Sequence, residues 1–540
     1  MEEGPSQEIE RRLPGARVIR RRRIRRLIAL PRVLGVAALF STAYGNVGSS
    51  IYYALGVTAL YALGLTPLVF IATGILFAFT ALTYAEGTAA IPEAGGSSSF
   101  ARHGFNELVS FFAGWALMLG YIVTISISAF SVPNYLAVFV PILKIYPWNT
   151  IGGLVVILGL VTINIIGIRE TALLNVLLAI LDLGTQLLLV AVGAMLLVQP
   201  EFLFKNIQLG VVPTWGNLIY GISFAMIAYT GIETVSNMAE EAARPERDVP
   251  RAIVLVFVAV LALFTGISVI AMSAMPVESY PVEQVLEAPY GELAMTSRPT
   301  YDQRFPHPES VPSEPVISRE AITPELEGAH VWTTEIAFRY INDPVLGIAD
   351  KLPISWLKTA FRPWIGILAG TILLIATNAG IIGISRLAFS MGSYQQLPPM
   401  LGKVHRRYRT PYVAIIFFSI VGGLLILPGD ITFLAEMYVF GALLAFTLAH
   451  ISIIALRIRR PDMPRPFMIP FNIRLAGRKI PITAVLGGMG TFATWGIITY
   501  AQPFGRTVGL IWMAVGIIGY YIYRRKLGLP LTQTMKREVQ

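Results

Sequence analysis

The chain has 540 residues, of which 55% are apolar and 14% charged, with a mean hydropathy of +0.64 and a formal net charge of +10. Soluble domains carry about 25% charged residues, so this composition indicates an integral membrane protein. Cysteine is absent, which excludes disulfides, thiolate metal sites and a cysteine nucleophile. The five histidines lack metal-ligand spacing, and no Ser-His-Asp set or nucleotide-binding glycine loop stands out. We therefore expect neither an enzyme nor a bound metal or cofactor.

Twelve apolar runs are long enough to cross a bilayer, which predicts an all-α integral membrane fold. They cover approximately residues 33–57, 66–91, 106–136, 151–167, 171–199, 214–239, 252–275, 364–391, 411–427, 431–456, 481–502 and 505–523. If both termini are cytosolic, the inner segments carry 31 Lys and Arg, whereas the short outer loops carry only Lys144, Lys205 and Arg506. The positive-inside rule predicts this asymmetry, which favours a multi-pass protein of the plasma or inner membrane. The positive charge thus follows topology and does not indicate nucleic-acid binding.

The chain divides into five predicted regions. These are a cytosolic Arg-rich tail over 1–32, seven spans over 33–275, an outer loop over 276–363, five spans over 364–523 and a cytosolic tail over 524–540. The first tail contains ten arginines and no signal-peptide pattern, so we expect it to lie at the anionic surface of the lipid bilayer. The acidic, Pro-rich loop is either a lid or partner-docking element, or a solvated linker with a short surface helix within 343–358. We expect the linker.

Two spans carry small residues at mid-depth. The first contains Gly45-Asn46-Val47-Gly48-Ser49-Ser50, and the sixth contains Thr230-Gly231 followed by Glu233. Non-helical backbone in a bilayer is tolerated only where protein or water satisfies its polar groups, so a broken helix predicts a binding cavity. A tightly packed Gly/Ser face is the alternative. Because the two spans are five apart, the pattern points to an inverted-repeat transporter with its site between the breaks.

Several motifs resemble amino-acid permeases of the amino acid–polyamine–organocation (APC) family. The sixth span and its exit, Ala228-Tyr229-Thr230-Gly231-Ile232-Glu233-Thr234-Val235 with residues 239–253, carry the resemblance most clearly. Further similarities are Tyr84-Ala85-Glu86 with residues 91–97, Gly114-Trp115-Ala116-Leu117, residues 164–170, residues 378–387, Leu397-Pro398 and Thr410-Pro411. The first span is closer to Kup-type potassium uptake permeases of the same superfamily, although these typically carry Asp where Asn46 stands.

The resemblance implies a LeuT-like five-plus-five inverted repeat with two C-terminal helices and discontinuous helices 1 and 6. It also implies alternating-access transport of amino acids or amines, coupled to H+ or Na+. In such permeases the substrate contacts backbone groups of both breaks. Independently of the resemblance, Tyr52, Tyr121 and Tyr229 could line the same cavity, whereas most of the 22 tyrosines should be packing or interfacial residues. The expected substrate-binding residues are Gly45, Asn46, Val47, Gly48, Ser49, Ser50, Tyr121, Ala228, Tyr229, Thr230 and Gly231. A potassium uptake permease and a transport-inactive sensor or scaffold are the alternatives.

Ionisable residues inside spans supply further candidates. Asp182 lies in an otherwise apolar span, where a charge costs at least about 2.5–3.5 kcal/mol, so it should face the bundle interior. It is a candidate ion-coupling site together with Ser385, either as a proton carrier or as a sodium ligand. The alternative is an Asp held structurally by Gln186 or Ser385. The gating candidates are Glu86, Glu233 and Arg386, with structural pairing as the alternative.

Overall fold

The computed structural model describes residues 34–166, 171–203, 205–296, 299–305, 328–408, 410–475 and 477–535. The predicted tail over 1–32 therefore lies outside the described residues. The first eleven helices are Val36–Gly48 (α1), Ile51–Ala62 (α2), Thr66–Ala90 (α3), Ser97–Gly104 (α4), Glu107–Leu136 (α5), Trp148–Ile166 (α6), Thr171–Leu196 (α7), Pro200–Leu203 (α8), Trp215–Ala228 (α9), Glu233–Asn237 (α10) and Pro245–Ala274 (α11).

The second half of the chain begins with a mixed segment and then returns to long helices. In chain order it contains Glu278–Pro281 (β1), Val282–Leu286 (α12), Gly291–Thr296 (α13), Thr300–Tyr301 (β2), His330–Thr333 (β3), Glu335–Phe338 (α14), Pro344–Asp350 (α15), Ser355–Ser393 (α16), Tyr412–Ile426 (α17), Ile431–Arg459 (α18), Asn472–Leu475 (β4), Arg478–Pro481 (β5), Ile482–Ala501 (α19) and Pro503–Lys526 (α20).

Ten stretches of the described chain are long and apolar enough to cross a membrane. The first, Val36–Ala90, has 55 residues and would be about 80 Å long if straight, far beyond the roughly 30 Å bilayer core. It turns at Leu63, whose φ of 49° separates α2 from α3. The fifteen-residue α17 is shorter than these stretches. An all-α membrane fold is thus confirmed, while the count of twelve crossings stays a prediction.

The central helix of the bundle is α5, which is buried along most of its length. It packs against α16 and α18, and small residues allow the close approach. A Cβ placed at Gly380 of α16 would lie 3.2 Å from the Tyr121 carbonyl oxygen, and one at Gly441 of α18 would lie 3.0 Å from the Ala116 carbonyl oxygen. At its start, the Asn106 side chain accepts a hydrogen bond from the Val109 N–H at 3.1 Å. These contacts fix α5, α16 and α18 around a common core.

Residues 276–354 are here called the insertion, and its described parts, residues 276–296, 299–305 and 328–354, form a folded unit at one end of the bundle. Strand β3 pairs antiparallel with both β1 and β2, giving a three-stranded sheet in the order β1-β3-β2. The side chains of Ile336, Val345 and Ile348 are fully buried and belong to the main hydrophobic core. The expected solvated linker is therefore wrong for the described part of this segment. The predicted surface helix over 343–358 is corrected to the buried helix α15, with α16 beginning at Ser355.

Two contacts hold the insertion on the bundle. A Cβ placed at Gly56 of α2 would lie only 2.1 Å from the Ile341 carbonyl oxygen, so the two backbones touch directly. Lys144, after α5, forms an ion pair with Asp343 at 2.7 Å. Burial raises the pKa of the Asp343 carboxyl, and the neighbouring Lys144 ammonium opposes that effect. The insertion thus covers the end of α2 and joins it to the segment after α5.

Candidate functional site

The second predicted break is an unwound segment between α9 and α10. Helix α9 ends at Ala228, α10 begins at Glu233, and Gly231 between them has a φ of +112°, a conformation that favours glycine. The Gly231 N–H donates to a Glu233 carboxylate oxygen at 3.0 Å, which satisfies one backbone group freed by the break. The Thr230 hydroxyl donates to the Ile227 carbonyl at 2.7 Å. The sixth predicted span is therefore discontinuous at the expected residues.

The first predicted break differs from an unwound segment. Helix α1 ends at Gly48 and α2 begins at Ile51, yet Ser49 and Ser50 keep right-handed helical angles, with φ of −64° and −66°. Backbone bonds here shorten to three-residue spacing, for example from Ser50 N–H to the Val47 carbonyl at 3.1 Å. The expectation of freed N–H and C=O groups is corrected to a 3₁₀-like joint. A glycine lowers helix propensity by only about 1 kcal/mol, which is too little to unwind a packed helix.

Asn46 of α1, close to the joint between α1 and α2, contacts the unwound segment between α9 and α10. Its Nδ2 donates to the Thr234 hydroxyl at 2.8 Å and lies 3.5 Å from the Gly231 carbonyl oxygen. A Cβ placed at Gly231 would lie 2.8 Å from the same Asn46 nitrogen. The Asn46 Oδ1 is buried and has no hydrogen-bond partner among the described residues. The structure therefore brings the first and sixth predicted spans into direct contact and leaves one acceptor there unused.

All eleven predicted binding residues are buried, but they do not all face the same space. The Tyr229 hydroxyl donates to the Phe70 carbonyl at 2.7 Å, and the Tyr121 hydroxyl is bonded to the Asn237 side-chain amide. A Cβ placed at Gly48 would lie 2.8 Å from the ring of Tyr44. Gly48 therefore faces an aromatic ring, and the two tyrosines use their hydroxyls within the protein. A direct contact of these three residues with a substrate stays a prediction.

Asp182 is fully buried in α7 and accepts three hydrogen bonds. The Tyr52 hydroxyl donates to Oδ1 at 2.6 Å, while the Tyr44 hydroxyl and Gln186 Nε2 donate to Oδ2 at 2.9 and 2.7 Å. Gln186 was the predicted structural partner. Ser385 supplies none of these three bonds, because its hydroxyl donates to the Ile382 carbonyl of its own helix at 2.9 Å. The pairing of Asp182 with Ser385 is therefore not found among the described contacts.

Sequence reasoning missed the tyrosine partners of Asp182. Tyr44 precedes the joint between α1 and α2, and Tyr52 follows it. The two residues are eight positions apart, a spacing that keeps side chains near one face of a helix. That spacing was the available signal, although nothing local connected it to Asp182 more than a hundred residues later. The joint is thus bracketed by two hydroxyls bound to one carboxylate.

Glu86 lies in a buried ionic cluster away from the breaks. Arg457 of α18 donates two hydrogen bonds of 2.6 Å to its carboxylate, and the Ile469 N–H donates a third at 2.9 Å. Arg465 approaches the same carboxylate at 3.5 Å. These contacts match the structural-pairing alternative, since they tie α3 to α18 and to the segment that follows it. A gating role for Glu86 stays a prediction.

Of the other two gating candidates, Glu233 belongs to the second broken helix and Arg386 of α16 pairs with a residue that follows it. Glu233 borders its unwound segment, and Arg386 of α16 forms an ion pair with Glu241 at 2.8 Å. The Leu34 N–H, just before α1, donates to the Glu241 carbonyl at 3.0 Å, and the Ala243 N–H donates to the Leu34 carbonyl at 2.8 Å. These bonds join α1, α16 and the segment after α10 at the end of the bundle opposite the insertion. Asp182 and Glu233 form no ion pair with any residue in the described ranges.

Comparisons with known proteins agree with this architecture. A family model described as Amino acid permease matches residues 34–294 and 353–520, which leaves much of the insertion unmatched. The branched-chain amino acid permease BcaP of Bacillus subtilis is 25% identical over 535 residues, which cover 94% of this chain and 98% of that protein. The methylthioribose transporter of the same organism is 23% identical, over 85% of this chain and 86% of its own length.

A further relative imports an amine rather than an amino acid. The low-affinity putrescine importer PlaP of Escherichia coli K12 is 24% identical, over 85% of this chain and 86% of that protein. The matched ranges include both breaks, Asp182 and Glu86. These relatives are transporters rather than enzymes, and the similarity extends over most of their length. The chain belongs to the APC family of amino acid permeases and is a multi-pass membrane transporter of amino acids or amines.

Proposed function

We propose that the chain is a secondary active transporter that moves an amino acid or a related amine by alternating access around the two breaks. The observation that carries this proposal is the contact of Asn46 with Gly231 and Thr234, which unites the first and sixth predicted spans. In an inverted-repeat transporter the substrate binds at such a meeting point, near the middle of the bilayer. The unused Asn46 Oδ1 is an acceptor that suits the ammonium group of such a substrate.

Contacts at the two ends of the bundle support alternating access. The insertion lies on α2 through Gly56 and Ile341, while Leu34, Glu241 and Arg386 are joined at the opposite end. The candidate binding residues are buried between these two sets of contacts. Opening one set while the other stays formed would expose the site to one side of the membrane at a time. We propose that the insertion is extracellular and that both termini are cytosolic in the cell membrane.

We also propose that transport is coupled to H+ or Na+ through Asp182. Its carboxylate is buried, accepts three hydrogen bonds from neutral donors and forms no ion pair within the described part of the chain. An ionisable residue held in this way inside a membrane bundle is costly, and such residues mark ion pathways in pumps and transporters. Loading of a cation at Asp182 on one side of the membrane and its release on the other would therefore couple accumulation to the gradient of that cation.

The test is transport by purified protein in proteoliposomes. We expect counterflow of radiolabelled branched-chain amino acids or of putrescine, and accumulation driven by a proton or sodium gradient. Empty liposomes, and liposomes with heat-denatured protein, provide the background. Rubidium uptake without any flux of amino acids or amines would instead support the potassium alternative. Absence of flux for all of these solutes by folded protein would contradict the proposal and favour a sensor.

A further inference from the structure

The Asp182 carboxylate contacts both sides of the joint between α1 and α2. Tyr44 lies before this joint and Tyr52 after it, and both side chains are buried. Tyr52 is also held by α5. The Tyr135 hydroxyl donates to the Tyr52 carbonyl oxygen at 2.7 Å, and the two rings pack edge to face. Tyr44 stacks on Phe40 one turn earlier in α1. One carboxylate on α7 therefore fixes the separation of two hydroxyls that bracket the joint.

The donor and acceptor pattern depends on the charge of this carboxylate. An ionised carboxylate accepts only, and here it accepts from two hydroxyls and one amide. A protonated carboxyl carries a donor of its own, which needs an acceptor, and its neutral oxygens accept hydrogen bonds more weakly than an ionised carboxylate does. Gln186 offers that acceptor, because its Oε1 is buried without a hydrogen-bond partner among the described residues. Rotation of the Gln186 amide would present this oxygen to the new proton.

We propose that Tyr44, Tyr52 and Gln186 are positioning residues that transmit the charge state of Asp182 to the joint between α1 and α2. The inference rests on the proposed function, in which Asp182 is the ion-coupling residue. While Asp182 is charged, the two hydroxyls hold the joint in its present form with Asn46 against Gly231. A proton taken from water binds Asp182, weakens both tyrosine contacts and lets the joint move relative to the second break. Its return to water on the other side restores the contacts.

Among the described helices packed against Asp182, the titratable groups near its carboxylate belong to this cluster, and the charged groups lie elsewhere. The titratable groups that α1, α2 and α5 place at Asp182 or against its tyrosine partners are Tyr44, Tyr52 and Tyr135. Helix α11 meets α7 through apolar contacts, such as Ile270 against Gly193, and carries its charges within residues 246–251. The charges of α16 pair elsewhere, Lys358 and Arg362 with Asp350, and Arg386 with Glu241. The contact of α16 with α7 is a neutral one, from Trp364 Nε1 to the Thr185 hydroxyl at 3.0 Å.

The experiment compares Tyr44→Phe, Tyr52→Phe and Gln186→Leu with wild type in proteoliposomes. Gly184→Ala is the matched control, because a Cβ at Gly184 on the same helix meets no atom within 4 Å and leaves the cluster untouched. Two quantities are measured, the uptake driven by a proton gradient as a function of pH and the counterflow without a gradient. We expect the three variants to lose at least about tenfold in gradient-driven uptake, with counterflow retained. The midpoint of the pH profile should move by about one unit, a tenfold change in proton binding.

A double-mutant cycle distinguishes transmission of the Asp182 charge state from a general loss of transport activity. In an Asp182→Asn background, Tyr44→Phe and Tyr52→Phe should have no further effect on the ratio of gradient-driven uptake to counterflow. If one tyrosine variant fails to fold, the other tyrosine variant is tested in the same cycle, and its ratio of gradient-driven uptake to counterflow tests the inference. Wild-type pH profiles and full accumulation in the folded tyrosine variants would overturn the inference, even with normal counterflow. Absence of counterflow in wild type would instead contradict the proposed function itself.

Discussion

Replacing Gly231 by alanine is a direct test of the second break. The φ of +112° costs a residue with a Cβ on the order of 1–3 kcal/mol, and the new methyl group would lie 2.8 Å from Asn46 Nδ2. Displacing that amide would break its bond to Thr234, which contributes about 0.5–1.5 kcal/mol. The total of roughly 1.5–4.5 kcal/mol corresponds to a loss of about tenfold to two-thousandfold in affinity if the binding-competent state needs this break and competing states do not.

The assay measures the affinity of the detergent-purified variant for the solute found in the counterflow experiment, by substrate-dependent thermal stabilisation. Gly184→Ala is the control, because a Cβ at Gly184 in α7 meets no atom within 4 Å. We expect the control to bind like wild type and Gly231→Ala to bind far more weakly. Wild-type affinity of folded Gly231→Ala protein would show that the unwound segment and its contact with Asn46 do not form the site.

Three further outcomes are expected. Glu86→Gln leaves the buried Arg457 without its partner, which should cost about 3–5 kcal/mol and lower the melting temperature, while counterflow by each folded molecule persists; an unchanged melting temperature would contradict the pairing. Asp182→Asn should abolish accumulation and spare counterflow, and gradient-driven uptake equal to wild type would exclude Asp182 as the coupling residue. Deleting residues 280–340 should prevent recovery of monodisperse protein in size-exclusion chromatography, because the insertion contributes to the main hydrophobic core. A stable and active deletion variant would instead support the linker interpretation.

The sequence predicted features that depend on local patterns. Apolar runs identify membrane helices because the bilayer core imposes a minimum length, and glycine at mid-span marks a break because only glycine readily adopts the φ found at Gly231. The first break was predicted to be more open than it is. Ser49 and Ser50 are weak helix formers, but Ser49 donates to the Asn46 carbonyl and Ser50 bonds to Tyr53, so the joint keeps its bonds within the turn.

Features that depend on distant pairing were not predictable in the same way. The burial of Asp182 followed from its apolar neighbours, whereas its tyrosine donors lie 130 and 138 residues away along the chain. Arg457 is likewise 371 residues from Glu86. The insertion was misinterpreted because its apolar residues come in short pieces, each below spanning length, that bury surface only when they assemble on α2. Local periodicity carries no information about which distant segments will meet.

The Glu86–Arg457 cluster constrains how the helices can move. Because α3 and α18 are cross-linked by two short charged hydrogen bonds in a buried setting, separating them would cost about 3–5 kcal/mol at each cycle. A barrier of that size would slow turnover by roughly two to nearly four orders of magnitude. The two helices should therefore travel as one rigid body. Spin labels near their linked ends would then report a single narrow distance distribution throughout the cycle, while labels beside Leu34 and Glu241 would report two.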